Sequence, residues 1–162
     1  MLKSKFIIIL SIFLFSFAIH PKLDEYKKAL NIITVSKQYN SLVKKRKKYH
    51  VSNELVIYSK MAGLFQEELS PLTPILEKQI ILDSDKENLI NKQLLKLNIS
   101  NCFKVQIYFS EIKNNIFFAE IIKTKHKLKY QNRPSFGYSY IYMFKIDDSK
   151  VKLVKAKKVH YN

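Results

Sequence analysis

The spacing of apolar positions changes once along the chain, from a three-four repeat in its first part to strict alternation beyond Asn98. Leu23, Tyr26, Leu30 and Ile33 predict a helix that starts near Pro21, carries Asp24 and Glu25 in its first turn, and runs toward Lys44-Lys45-Arg46-Lys47-Lys48. Acids at its start and bases at its end suit the helix dipole. Leu55, Tyr58, Ala62, Phe65 and Leu69 predict a second helix behind a Ser52 or Asn53 cap, closed by Pro71. Thr73-Pro74 opens a short third helix, and Ser84-Asp85-Lys86-Glu87 reads as a capping box for a fourth that carries Leu89, Ile90, Leu94 and Leu97.

The alternating part predicts two hairpins. Phe103, Val105, Ile107 and Phe109 share a strand face, Lys113-Asn114-Asn115 turns the chain, and Ile116 to Thr124 returns. Tyr138, Tyr140, Tyr142, Phe144 and Ile146 then alternate with Ser139, Ile141, Met143 and Lys145. After Asp147-Asp148-Ser149-Lys150 the chain returns as Val151 to Tyr161. The expected fold is α+β, with N-terminal helices followed by a four-stranded antiparallel meander and the helices packed on one face. Ile141 and Met143 opposite the tyrosines make the Tyr138 strand central and covered on both sides, with a second subunit as one candidate cover. This element order is similar to small helix-plus-curved-sheet folds of the cystatin-like and nuclear-transport-factor-like (NTF2-like) kind. The resemblance carries over no site residue and no function.

Ahead of the first helix lies an address. Lys3 and Lys5 precede an apolar run from Phe6 to Phe17, and Ser16-Phe17-Ala18 places small residues at a cleavage position. Residues 1–18 are therefore expected to be a signal peptide and residues 19–162 a single domain. The run is short of the roughly 20 apolar residues that span a bilayer. The expected destination is periplasmic or extracellular, in a bacterial-type envelope. Cys102 is the one cysteine, so no internal disulfide can form, and its place at the start of a strand pattern suggests a small core residue.

Charge then alters the picture. Of 29 Lys and Arg, the expected mature chain loses Lys3 and Lys5, which leaves 27 against 13 Asp and Glu. Residues 22–60 and 101–162 carry the excess, while residues 61–100 are slightly acidic. Abundant Lys, Ile and Asn beside scarce Arg and Gly point to an AT-rich coding sequence, but composition alone does not segregate charge. Two basic clusters stand out as polyanion-binding candidates: Lys44, Lys45, Arg46, Lys47 and Lys48, and the loop bearing Lys125, Lys127, Lys129 and Arg133. Each has the simpler reading of a solvated, positively charged surface. Lysine in place of arginine disfavours sequence-specific nucleic-acid reading.

Catalytic signatures are sparse. His20, His50, His126 and His160 lie in four separate contexts with no second ligand at metal-binding spacing, so no metal or other cofactor is expected. With Gly63 and Gly137 as the whole glycine complement, a phosphate-cradling loop can hardly be built. Asn98-Ile99-Ser100 fits a glycosylation pattern of low specificity. Glu120, His126 and Arg133 form the one reactive-looking set, suited to metal-free hydrolysis of a phosphodiester, though a solvated strand face and basic loop are the stronger reading. Tyr138, Tyr140 and Tyr142 offer an aromatic face for sugar rings or a partner, but the continued alternation into Phe144 and Ile146 favours an ordinary core face. The sequence therefore favours an exported, non-enzymatic basic domain. Its expected partner is anionic: an acidic envelope glycan, a lipid headgroup at a membrane surface, or a protein. A small hydrolase and a structural subunit of an envelope assembly, including a homo-oligomer, are the alternatives.

Overall fold

A computed structural model describes residues 23–43, 48–70, 73–99, 102–134 and 136–161. The expected leader and Lys44, Lys45, Arg46 and Lys47 lie outside the described residues. Chain order is α1 (Leu23–Val35), α2 (Lys37–Val43), β1 (Tyr49–Val56), α3 (Tyr58–Ala62) running into a 3-10 turn (Gly63–Phe65), and α4 (Thr73–Asp83). There follow β2 (Leu89–Ile90), a 3-10 segment (Lys92–Leu97), β3 (Val105–Ser110), β4 (Ile116–Lys123), a 3-10 turn (Tyr130–Asn132), β5 (Gly137–Asp147) and β6 (Lys150–Tyr161).

The α+β class holds, and the two hairpins form where alternation placed them. Asn114 and Asn115, and Asp148 and Ser149, take positive φ in the tight turns that join β3 to β4 and β5 to β6. The four-stranded meander is part of a larger sheet. Six strands in the order β2-β1-β3-β4-β5-β6 make a mixed sheet, because β1 lies parallel to β3 and every other pair is antiparallel.

Two of the expected helices are replaced. The stripe Leu55, Tyr58, Ala62, Phe65 and Leu69 crosses a strand-to-helix junction: Leu55 belongs to β1, and the helix begins at Tyr58 without a Ser52 or Asn53 cap. Leu89 and Ile90 form the short edge strand β2, and Asn91 caps the 3-10 segment by accepting a bond from the Gln93 N–H at 3.1 Å. The first expected helix is divided at Ser36, whose Oγ accepts from the Tyr39 N–H and caps α2.

Helices cover both faces of the sheet rather than one. On the first face α1, α2 and the 92–97 segment pack Tyr26, Ile33, Tyr39 and Leu94 against Val51, Ile107, Phe117 and Phe144. Tyr26 also donates its hydroxyl to the Ser110 carbonyl at 2.9 Å, tying α1 to the end of β3. On the second face α3, its 3-10 extension and α4 place Met61, Phe65, Leu69 and Leu76 against Tyr108, Phe118, Ile141 and Met143. Every residue of β3 is consequently buried. Ile141, Tyr142, Met143 and Phe144 of β5 are thus buried on both faces by the chain's own helices. Cys102, expected in the core, is exposed, because it precedes the strand on a segment that no helix covers.

Candidate functional site: the basic end of the sheet

Strand direction decides which residues meet. With β1 parallel to β3 and the rest antiparallel, the starts of β1, β3 and β5 and the finishes of β4 and β6 share one end of the sheet. Hydrogen bonds run across that end. The Lys104 N–H donates to the Lys48 carbonyl at 3.0 Å, and the Thr124 N–H to the Lys104 carbonyl at 2.9 Å. Lys48, the described residue of the first basic cluster, and the loop that begins after β4 are thereby linked through Lys104, for Lys48 leads into β1 and Lys125 follows β4.

The 124–133 loop is folded back onto the second face by side chains that imitate a strand partner. Buried Gln106 donates its amide to the Leu128 carbonyl at 2.7 Å and accepts the Leu128 N–H at 2.9 Å, and the Tyr108 hydroxyl donates to the same carbonyl. The Tyr130 N–H donates to Glu54 Oε2 at 2.7 Å. With Tyr130 buried beneath the loop, Lys125, Lys127 and Lys129 are left exposed. Burial, followed by the Lys127 charge, lowers the pKa of His50 in β1, against an opposing side-chain hydrogen bond with Asn98.

Further cations at this end escaped the reading of the sequence. Lys104, Lys123, Lys158 and His160 are all exposed there. Lys104 and Lys125 flank a hollow of about 430 Å³ that Cys102 and Phe103 also line. No acidic residue occurs in residues 26–53, 88–110, 121–146 or 149–162, the stretches that supply this end. Glu111, Asp147 and Asp148 lie at the opposite end, beside the two hairpin turns. The signal was present in the sequence, but reading it requires knowing that β1 exists and runs parallel to β3.

Arg133 does not join this exposed set. Its Nη1 lies 2.6 Å from Glu120 Oε2, its guanidinium stacks 3.8 Å above the Tyr130 ring, and Glu120 is fully buried. The Tyr161 hydroxyl donates to Glu120 Oε1 and shares a 2.8 Å bond with Ser139 Oγ. Burial above all, and then the Glu120 charge, push the Tyr130 hydroxyl well above its ordinary pKa, with Arg133 opposing. Of the three reactive-looking residues, the fold therefore unites Glu120 and Arg133 inside the protein. His126 is exposed, and its described hydrogen bonds are those of its backbone with Thr124.

The tyrosine row runs from core to surface. Tyr142 is buried, bonded to Ser36 Oγ at 2.8 Å, and pushed up to about 12 by burial. Tyr140 is half-buried, whereas Tyr138 is exposed with Lys158 Nζ 4.1 Å above its ring. The row is therefore a platform at Tyr138 alone. Among the described residues no group of three His, Cys, Asp or Glu side chains gathers as a metal site would require, and no helix is long and apolar enough to cross a membrane.

Fold and surface together define a small α+β domain with a six-stranded mixed sheet that presents lysines at one end. No family model matches the chain, and no solved structure matches it. The chain is similar to the protein named Protein Ycf2 from Physcomitrium patens, at 26% identity over 112 residues, which cover 65% of this chain. It spans 5% of the length of that protein, so the likeness conveys no activity.

Proposed function

We propose that this chain is an exported, non-enzymatic domain that binds an anionic partner through the lysine-rich end of its sheet. The observation that carries the reading is the meeting of lysine-rich segments at that end, where Lys48, Lys104, Lys123, Lys125, Lys127 and Lys129 take part in none of the described ion pairs. Clustered exposed lysines raise the local potential far more than the same charges spread over the molecule, and so attract polyanions. Export rests on the leader pattern of residues 1–18.

Retention on immobilised dextran sulfate tests the reading. Replacing Lys104, Lys125, Lys127 and Lys129 with Gln is expected to lower the eluting salt concentration sharply. Replacing Lys78, Lys92, Lys145 and Lys150, all exposed and away from the site, removes equal charge and should change elution little. Exposed charges are screened beyond about 8 Å at physiological ionic strength, so wild-type binding must weaken as salt rises. Equal losses in both variants would leave net charge as the whole explanation. Failure of the wild type to bind at physiological salt would remove the reading altogether.

A further inference from the structure

A soluble polyanion would need only the lysines, yet this end of the sheet also presents apolar side chains to water. Phe136 is 82% exposed, the most exposed of the large apolar side chains among the described residues, and Ile99 is 59% exposed. Phe136 directly precedes β5, and with Lys123, Tyr138 and Tyr161 it lines a hollow of about 170 Å³. Ile99 follows Asn98, whose side chain both accepts from and donates to the backbone of Val51 near the start of β1. Both residues therefore stand at the acid-free end, among the cations.

Gly137, between Phe136 and Tyr138, marks the entry to β5. Gly137 has φ of 120°, a conformation that residues with a side chain rarely adopt, and nothing lies within 4 Å of where its Cβ would be. Phe136 and Tyr138, two residues apart across Gly137, are both exposed at this end. An exposed Phe beside lysines suits a lipid interface, where the ring can enter the headgroup region while the cations meet phosphates. Stable attachment there takes two signals, an apolar insertion and a basic patch, and one end of this sheet carries both.

We propose that the anionic partner is a bilayer surface: Phe136 inserts among the headgroups while Lys104, Lys123, Lys125, Lys127 and Lys129 face the lipid phosphates. This rests on the lysine-rich end being the binding surface, and adds to it a partner and an orientation.

The chain contains no tryptophan, so F136W supplies a single indole reporter at the proposed contact. The test uses the chain beginning at Ile19, which keeps every described core residue, since these lie between Tyr26 and Ile146. The lipid probes are phosphatidylcholine vesicles with and without phosphatidylglycerol. The F136W emission should shift to the blue and resist iodide quenching with the anionic vesicles alone. Phe136→Ala should weaken partition onto those vesicles by about tenfold, as expected for one partly buried aromatic ring, and leave retention on dextran sulfate unchanged. The Lys104, Lys125, Lys127 and Lys129 replacements should weaken both. Vesicle binding without an emission shift, or undiminished by Phe136→Ala, would overturn the membrane inference and leave the polyanion reading standing. Tighter binding to single-stranded DNA than to vesicles, lost on Phe136→Ala, would overturn it in favour of base stacking. If the wild type binds neither vesicles nor dextran sulfate, both proposals fall.

Discussion

Glu120 lies between Ala119 and Ile121 in a strand covered on both faces, so water cannot solvate its charge. Taking an ionised carboxylate out of water costs several kcal/mol unless it is paired and its lone pairs are filled. Arg133 and the Tyr161 hydroxyl satisfy it, and Tyr130 supplies a ring face beneath the guanidinium. Arg133→Met should therefore destabilise the protein by about 3 kcal/mol, because it leaves a buried charge unpaired. Glu120→Gln should cost less, and the double variant less than the sum of the two. Urea unfolding of the four proteins measures the cycle; strict additivity would show that the pair is not coupled. The sequence offered Glu120 and Arg133 together as reactive residue types in β4 and the long loop that follows it, but their burial was hidden. A polar residue within an alternating strand reads as facing water, and nothing local announces helices on the second face.

Elements whose period and turn chemistry agree were legible. Both hairpins form where they were expected, and α1 and α4 begin where their start signals place them, as local turn and cap signals do not depend on the rest of the fold. β1 was not legible, because a true helical stripe in Tyr58, Ala62, Phe65 and Leu69 is continued backward by Leu55 through coincidence. Leu55 packs into the first-face core, whereas the other four pack into the second. The 92–97 segment was misread for a similar reason: Leu94 and Leu97 are buried three apart, a spacing that α and 3-10 geometry share. Turn chemistry at the element scale can be tested at Asn115, where φ is 60° and the carbonyl accepts the Ile146 N–H at 2.7 Å. Asn115→Gly should hold stability or raise it, while Asn115→Val should cost about 1 kcal/mol or more, since a β-branched side chain resists this conformation. Thermal unfolding of both variants checks the sign, and a tolerated Val would mean that the turn can change type.

Across the whole molecule, opposite charges are used sparingly, and one acid ties the layers together. Glu68, just beyond the second-face 3-10 turn, meets the edge strand β6: Lys157 Nζ donates to its Oε2 at 2.9 Å and also to the Leu64 carbonyl at 3.0 Å. Lys155 Nζ lies 3.0 Å from Oε1 as an ion pair, without the alignment of a hydrogen bond. The Lys157 bond is the main cause that holds the Glu68 carboxyl down to about 2 from its ordinary 4.5, assisted by Lys155 and opposed by burial. The sign follows from proton counting. Between pH 4.5 and about 2 the unfolded chain binds a proton at Glu68 that the folded chain refuses, so the stabilisation present above pH 4.5 is lost as pH falls toward 2. Asp83 acts in the same direction, its carboxyl held low first by Lys86, and the formal net charge of +16 at neutral pH adds self-repulsion as further carboxylates protonate. Glu68→Gln isolates the one clamp from these shared terms. At pH 7 the variant should unfold at lower urea than the wild type, and the gap should close as pH is lowered from about 5 toward 2, while both proteins continue to weaken. A gap that stays constant across this range would show that Glu68 contributes through packing alone and that its charge does not hold β6 to the helices of the second face.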